Sequence, residues 1–498
     1  MQYICSADEM QAIDAYSIQE IGIPGIVLME KASLALEDEI IRRFPDPVPV
    51  LIITEKGNNG GDGLALGRLL MARGYPVNFY EIGAVKRATE SYMIQRNILD
   101  QLGGHFVDEL PSEGADIIVD AIFGVGLKRE VGGIHREIIE RVNKMDAFRV
   151  AVDVPSGVDA SSGRILGCSF KADLTVTFGF NKLGLILYPG ADQAGQVLVR
   201  DIGFPLESVL HVLPRTLTYS PEDLTLLPGR RSWSNKGSYG KVLLIAGSCN
   251  MAGAAYLSAL AAYRTGCGLV RIFTCEQNRV ILQSLIPEAI MTTWTSHQDM
   301  ERLLPEAISW ADVIGIGPGI GQGEMAGQLL HTVLSCGKVP LVIDADGINS
   351  LAKMDVLSHA GLYQEYSGGM ILTPHLKEME RLSHIPVKDI QESLPETAGR
   401  FADPGHVFVL KDARTLVSDG TEPTYINQSG NHGMAVGGSG DVLTGIICGL
   451  LAQGLSLLEA ARLGVYCHGL AGDAAAAEKG CYSMSARDIA ESICQVIR

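Results

Sequence analysis

Tryptophan is scarce in these 498 residues, at 3 copies, and phenylalanine is sparse at 12. That scarcity disfavours an aromatic-rich β-sandwich core. Basic residues are outnumbered: 40 Lys and Arg stand against 57 Asp and Glu, a net charge of −17. Such a chain repels nucleic acid and anionic membrane overall, so an anionic ligand must be held locally. None of the 10 cysteines forms a CxxC pair, and the closest two, Cys267 and Cys275, stand eight apart. Zinc ribbons and thioredoxin-type chemistry therefore lack support. Scattered thiols fit inert cysteines in a reducing compartment, which points to the cytoplasm. The N-terminal stretch MQYICSADEMQAID carries acids and lacks the basic stretch and long apolar core of a signal peptide. The longest uncharged run, Val242 to Tyr263, contains Gly247, Ser248, Asn250 and Gly253. It reads as strand, glycine turn and helix rather than as a membrane span.

What the chain does have is a globular balance, 47% hydrophobic and 19% charged residues, with 57 glycines. At about 150 residues per domain the length suggests two to four domains. Short β-branched runs alternate with helix-length segments. The first half has VLIIT (50–54), VNFY (77–80), IIVD (117–120), RVAVD (149–153) and LTVTF (174–178). The second half has VLLIA (242–246), LVRIF (269–273), VIGIG (313–317), LVID (341–344), HVFVL (406–410) and TLVS (415–418). Near-continuous apolar strands separated by helices predict parallel sheets covered on both faces, so both halves are α/β. The pattern breaks between Gly203 and Gly240, where four prolines place a domain boundary near 208–220.

Chemistry is expected at the carboxyl ends of the strands. Strand 50–54 runs into KGNNGGDG, Lys56 to Gly63, and then into a helix with Leu66, Leu69, Leu70 and Arg73. Gly57, Gly60 and Gly61 are expected to let backbone amides approach an anion at the helix N-terminus. Asn58, Asn59 and Asp62 can bind hydroxyls, amides or a cation. A plain Asx-capped turn needs fewer polar residues than these, which favours a ligand site. The segment DAIFGVGLKRE follows strand-end Asp120 with Gly124, Gly126, Lys128 and Arg129, a setting for phosphate or pyrophosphate. Asp153 ends a third strand and is followed by Pro155, Ser156 and Gly157. A single strand-end Asp can be a helix cap or turn former; three polar ends on one sheet fit a binding crevice.

In the second half, GGSGD (437–441) opens an apolar helix carrying Val442, Leu443, Ile446, Ile447 and Leu450. Amides at such an N-terminus form an anion hole for transferred phosphate. Asp441, in the first turn, is placed to take a proton from an attacking hydroxyl. An acid there also favours the helix dipole, but that role alone does not call for four glycines within 433–440. Lys411, Asp412, Ala413, Arg414 and Thr415 fall at a strand end or hairpin. Their cations either hold a nucleotide phosphate or form an exposed charged turn. His375 follows the strand end Thr373-Pro374 and is either structural or a ligand contact. Gly319, in GIGPGIG, allows close approach, and Ala254 at a helix start leaves room for a ligand.

Together GNNGGDG, DAIFGVG, AVDVPSGVDA and TFGFNKLGLILYPG resemble the epimerase domain of the NAD(P)H-hydrate repair enzymes, over roughly residues 5–205. The motifs NHGMAVGGSGDVLTG, TPHLKEMERL and KDARTLV resemble the dehydratase domain of the same family, over roughly 225–495. The resemblance implies a Rossmann-like αβα domain at 1–210 fused to a ribokinase-like α/β domain at 220–498. It implies dinucleotide contacts at Asn58, Asn59, Gly60, Gly61 and Asp62, and at Gly124, Val125, Gly126, Leu127, Lys128, Arg129 and Glu130. It sets Asn59, Asp120 and Ser156 around a potassium ion, and Asp153 against the hydrated nicotinamide as acid/base. In the second half it implies hydrate contacts at Ala254, Gly319, His375 and Asp441. Lys411, Asp412, Ala413, Arg414, Thr415 and Gly440 are implied on ADP, with Mg2+ on its phosphates. The implied activity is epimerisation of the R and S hydrates of NADH and NADPH, then ADP-driven dehydration of the S hydrate to NAD(P)H, AMP and phosphate. The resemblance also implies a homo-oligomer; no nucleic-acid or membrane partner is expected. Two positions depart from the pattern: Lys56, where the family has a small residue or proline, and MEKAS (29–33) in place of MENAG.

Two other classes compete. GGSGD with Asp441 fits equally an ATP-dependent ribokinase-like small-molecule kinase, but a simple kinase needs no dinucleotide-binding N-terminal domain. Domains resembling the first half also serve as scaffolds in RNA-processing or lipoprotein-binding proteins. Asp120, Asp153 and Ser156 speak against a scaffold, and the charge of −17 disfavours RNA.

Overall fold

The computed structural model describes residues 1–83, 88–111, 113–354 and 365–497. The chain divides into two compact units, Tyr3–Arg215 and Thr216–Arg498, with Met1 and Gln2 grouped with the second.

The N-terminal unit is built on a parallel sheet. Its strands lie in the order His105–Phe106, Val77–Glu81, Val50–Thr54, Ile117–Ala121, Phe148–Val152, Leu174–Phe178 and Gln196–Arg200. Strands Val50–Thr54, Ile117–Ala121 and Leu174–Phe178 are buried at every residue, which requires cover on both faces. One face packs under Leu36, Leu66 and Leu70, the other under Ile138, Ile139 and Phe170. The sheet grows outward from Val50–Thr54, then restarts on its other side at Ile117–Ala121. Strand order reverses there, so the carboxyl ends of these two strands flank a crevice.

The C-terminal unit repeats that logic. Its order is Ile290–Trp294, Leu269–Cys275, Lys241–Ile245, Val313–Ile316, Leu341–Ile343, Met370–Leu372 and His406–Leu410. The reversal falls between Lys241–Ile245 and Val313–Ile316. Pairing is parallel as far as His406–Leu410. Leu416–Ser418 and Thr424–Ile426 then pair antiparallel. This departs from the all-parallel expectation. Lys411–Thr415 is long enough for a hairpin, whereas a parallel return needs a dozen or more residues. Helix Ser439–Ala452 packs against helix Ala252–Thr265. Gly445 permits the approach, because a Cβ there would lie 2.1 Å from the Ser258 carbonyl oxygen.

Every run quoted from the sequence is a strand, within two residues at its ends. Strands Gln196–Arg200 and Ile290–Trp294 carried no such run. Both are sheet edges whose residues are exposed or half-buried, so hydrophobicity does not mark them. Among the described residues no helix is long and apolar enough to cross a membrane. All ten cysteines are free thiols, and Cys5, Cys267, Cys275, Cys448 and Cys467 are buried.

Candidate functional site

A cavity of about 1020 Å³ lies at the strand-order reversal of the N-terminal unit. Gly57, Asn58, Asn59 and Asp62 line it from one strand end, and Ile122 to Arg129 from the other. Helix Asn58–Ala72 begins inside the glycine motif. Its N-cap is Gly57, and no side chain caps it. First-turn amides are therefore left for a ligand, at the positive end of the helix. Gly60 and Gly61 serve another purpose. A Cβ on Gly60 would lie 1.7 Å from the Glu55 carbonyl oxygen, and one on Gly61 2.5 Å from Met29 Cε. The Gly61 amide is bonded within the helix, to the Gly57 carbonyl at 3.1 Å. The expectation that an amide is open to an anion is thus corrected for Gly61, whose amide is bonded inside the helix; the missing side chains of both glycines seat the helix. The MEKAS segment supports that seat, with Met29 against Gly61 and Ser33 Oγ donating to the Asp62 carbonyl at 3.0 Å. Lys56 is buried, its ammonium on the Gly83 carbonyl.

Asp153 reaches the cavity from a left-handed backbone, φ 66°, which a short polar side chain tolerates best. Its Oδ1 accepts from Lys182 Nζ at 2.6 Å, Thr177 Oγ1 at 2.9 Å and the Phe178 amide at 3.3 Å. Lys182 is 1% exposed, and its ammonium also donates to Thr177 Oγ1 and the Phe178 carbonyl, each at 2.8 Å. An ammonium that deep needs a counter-charge, which Asp153 supplies. Asp14 and Asp62 line the same cavity. Burial raises the Asp62 pKa well above the carboxylate range, with Asp153 and Asp14 adding to it. Burial, then Asp153, raises that of Asp14. The cavity thus sets two carboxyls of raised pKa beside an ion pair. Sequence reasoning missed Lys182 and Asp14.

Asp120 is fully buried behind this wall. It accepts from Ser156 Oγ at 2.6 Å, the Ser156 amide at 2.7 Å and the Ile122 amide at 3.2 Å. Burial pushes its pKa up to about 6 against those hydrogen bonds. The Phe123 amide donates to Ser156 Oγ at 2.8 Å. A Cβ on Gly124 would lie 3.1 Å from Asn59 Oδ1. Asn59, Asp120 and Ser156 are therefore linked through the Phe123–Gly124 backbone. Asn59 Nδ2 is buried without a hydrogen-bond partner. Gly124, Val125, Gly126, Leu127, Lys128 and Arg129 line the main cavity, while Glu130 lines a neighbouring one of about 340 Å³. Lys128 pairs with Asp8 at 2.9 Å.

In the C-terminal unit Ala254 and Gly319 meet at the equivalent reversal. A Cβ on Gly319, φ 62°, would lie 2.9 Å from that of Ala254. The turn before helix Ser439–Ala452 passes through Gly438 at φ 94° and delivers Asp441 to the first turn. Burial first, then Asp344 and Asp346, raise the Asp441 pKa to about 7, against the pull of Lys411. Lys411 Nζ donates to Asp344 Oδ1 at 2.6 Å, and a Cβ on Gly440 would lie 3.4 Å from that ammonium. Gly440, Asp441 and Lys411 thus come together. Asp344, which was missed, is the carboxylate between them.

His375 caps helix Leu376–Ser383. Its Nδ1 accepts from the Lys377 and Glu378 amides at 3.1 and 3.3 Å. Burial, then Lys411 and Arg381, lower its pKa, leaving neutral Nε2–H half exposed. Glu378 answers the cap at the His375 amide, 3.0 Å away, and burial pushes its pKa to about 7. After Lys411 the hairpin turns outward. Asp412 and Ala413 are exposed, Thr415 Oγ1 donates to the Asp412 carbonyl at 3.3 Å, and Arg414 donates to the Gln428 carbonyl at 3.2 Å.

These two crevices define a fused α/β chain whose second half is built for chemistry at a helix N-terminus. Residues 242–495 match the family described as NAD(P)H-hydrate dehydratase, and residues 25–184 the one described as YjeF-related protein N-terminus. The bifunctional NAD(P)H-hydrate repair enzyme Nnr of Moorella thermoacetica is 38% identical, covering 100% of this chain and 97% of its own. That of Escherichia coli K12 is 34% identical, covering 99% and 93%. The ADP/ATP-dependent NAD(P)H-hydrate dehydratase of Bacillus subtilis, co-crystallized with ATP/Mg2+, is 31% identical. It matches 56% of this chain and 96% of its own, with a TM-score of 0.50. A ribokinase-like superfamily protein from Enterococcus faecalis is similar at the same score, 31% identical over 57% of this chain and 95% of its own. The chain belongs to the family of bifunctional NAD(P)H-hydrate repair enzymes, and its second half has the ribokinase-like fold.

Proposed function

We propose that this chain repairs hydrated NADH and NADPH. Residues 1–210 interconvert the R and S hydrates, and residues 220–498 dehydrate the S hydrate with ADP. The observation that carries the reading is the placement of Asp441 in the first turn of helix Ser439–Ala452, beside the Lys411 ammonium, where burial raises its pKa to about 7. Asp441 takes the proton of the C6 hydroxyl, and that oxygen attacks the terminal phosphorus of ADP, releasing AMP. The ring-nitrogen lone pair expels phosphate from C6. Loss of a proton from C5 then restores the dihydronicotinamide. Phosphorylation thereby turns a poor leaving group into a good one. Lys411 and Arg414 hold nucleotide phosphate, with Asp412, Ala413, Thr415 and Gly440 forming the edge of that subsite. Ala254, Gly319 and His375 Nε2–H contact the hydrate. Mg2+ arriving with the nucleotide would neutralise its phosphates. Among the described residues no cluster of three His, Cys, Asp or Glu forms a cage for it.

In the first unit the dinucleotide lies along Asn58 to Asp62 and Gly124 to Glu130, and Asp153 moves the proton at the hemiaminal, held in place by Lys182. Potassium fits Asn59, Asp120 and Ser156. The set is oxygen-rich, with Asn59 Oδ1, Ser156 Oγ and the buried Asp120 carboxylate, which has no cation among its hydrogen-bond partners. The ion would organise the loop at Gly124.

The test is purified protein with mixed NADH-hydrate epimers, Mg2+ and either ADP or ATP, following the return of reduced-nicotinamide absorbance. Conversion of both epimers is expected. Conversion stopping at one epimer's share would remove the epimerase assignment. A stable phosphorylated product without nicotinamide product would establish the kinase alternative.

A further inference from the structure

Asp344 takes no part in the route above, yet it is a buried carboxylate held by three side-chain donors. It is 1% exposed. Lys411 Nζ and Thr373 Oγ1 donate to its Oδ1 at 2.6 and 2.7 Å, and Thr444 Oγ1 to its Oδ2 at 2.8 Å. The three donors come from three places: the ends of strands Met370–Leu372 and His406–Leu410, and helix Ser439–Ala452. Burial would lift the Asp344 pKa, but the Lys411 charge and these bonds hold it below the usual value. The same ammonium stands beside the turn that carries Asp441, since a Cβ on Gly440 would lie 3.4 Å from it and 3.6 Å from Asp344 Oδ2. Among the described residues the Asp441 carboxylate accepts no side-chain hydrogen bond. Two carboxylates thus compete for one cation, and the one prebuilt by two threonine hydroxyls has it.

We propose that Asp344 is a positioning residue of the dehydratase, holding the Lys411 ammonium so that the Asp441 carboxylate stays unpaired and free to take the hydrate's hydroxyl proton. The inference rests on the dehydratase reading given above. A carboxylate bound to an ammonium is a weaker base, because pairing favours its charged form. The charges acting on Asp441 are Asp344 and Asp346 after strand Leu341–Ile343, and Lys411 after His406–Leu410. From helix Ala252–Thr265, Ser258 Oγ donates to the Asp441 carbonyl at 2.9 Å. His468, on helix Leu457–Lys479, is neutral, its pKa lowered by burial to about 4, and sits 3.3 Å from Ser439 Oγ. Glu378 and His375, from Leu376–Ser383, act through Lys411.

The experiment is the pH profile of dehydratase kcat for the full chain and for Asp344→Asn, Thr444→Val and Asp344→Asn with Lys411→Met. The wild-type acid limb is expected near pH 7. In Asp344→Asn, Lys411 moves to Asp441. The limb shifts down by about one unit and plateau kcat falls about tenfold, with hydrate KM changed less. Thr444→Val shifts the limb the same way by a smaller amount, and serves where Asp344→Asn does not fold. Adding Lys411→Met brings the limb back up. Loss of the Asp344 charge by itself also lowers the limb, so Thr444→Val, which keeps that charge and removes one donor, decides: an unmoved or rising limb in Thr444→Val, with wild-type dehydration intact, overturns the inference alone. A wild-type chain that does not dehydrate the hydrate overturns the functional reading and the inference with it.

Discussion

The two units reverse their strand order at the same point, between the strand from which the sheet grows outward and the one that restarts it. Each places its candidate acid near the crevice that reversal creates, and there the likeness ends. In the first unit Asp153 is bonded to an ammonium that is 1% exposed, inside a cavity of about 1020 Å³. In the second, the nearby ammonium of Lys411 is bonded to another carboxylate, and Asp441 titrates near 7. Topology fixes where a ligand can lie. The allocation of one lysine fixes what the carboxylate beside it can do: one is oriented by its counter-charge, the other is kept free as a base.

The largest test of that division removes the acids. Asp441→Ala is expected to lower dehydration by about 10²- to 10⁴-fold, the range of a lost general base, while epimerisation continues. Asp153→Ala should do the converse. Separate assays of epimer exchange and nicotinamide recovery check this, and equal loss of both activities in either variant breaks the comparison.

Next in size is Lys182→Met. Removing one partner of a buried ion pair typically costs about 3–5 kcal/mol, so the N-terminal unit should unfold at markedly lower urea and epimerisation should fall with it. Lys411→Met should cost at least as much, because the carboxylate it strands, Asp344, is 1% exposed where Asp153 is 14% exposed, and each keeps two hydrogen-bond donors. A much smaller loss in Lys411→Met would show that burial of the stranded carboxylate does not set the cost.

Much of this was legible in the sequence, and the gaps are instructive. Apolar strands, their glycine-rich ends and the acids Asp120, Asp153 and Asp441 are local patterns, and burial on both faces follows from them. Lys182 was not legible, because NKLG reads as a solvated turn until the chain folds its ammonium under Asp153. Asp344 carried a readable signal, a strand-end acid like Asp120, but its meaning depends on Thr373, Lys411 and Thr444, which are distant in sequence. The glycines misled for a related reason. A glycine needed for packing, such as Gly61 against Met29, looks in sequence like one needed to admit a ligand.

Glu378 sharpens the contrast within the second unit, as another carboxyl that burial lifts to about 7. Its folded pKa lies above the unfolded value of 4.5. Its contribution is therefore complete below that value and is lost as pH rises toward 7. Glu378→Gln keeps an acceptor for the His375 amide and removes the ionisation. Its stability relative to wild type should be near parity at pH 5 and exceed it at pH 8 by at most about 3 kcal/mol. Urea melts at the two pH values read the difference; a gain that does not grow with pH would mean that Glu378 is already ionised without strain.

The smallest effect is expected where the first site is most open. Gly57 has an extended backbone suited to an N-cap, φ −96° and ψ −173°, and no capping side chain. A Cβ there would meet nothing within 4 Å. Serine can accept from a first-turn amide, so Gly57→Ser should stabilise the unit by a few tenths of a kcal/mol, about 0.3 kcal/mol. The same hydroxyl would occupy an amide that the dinucleotide needs. The hydrate KM for epimerisation should rise several-fold while kcat changes less. Gain of stability with unchanged KM would show that the first-turn amides do not hold the ligand, and that the first unit relies on the polar side chains of Asn58, Asn59 and Asp62 rather than on the helix terminus that serves the second.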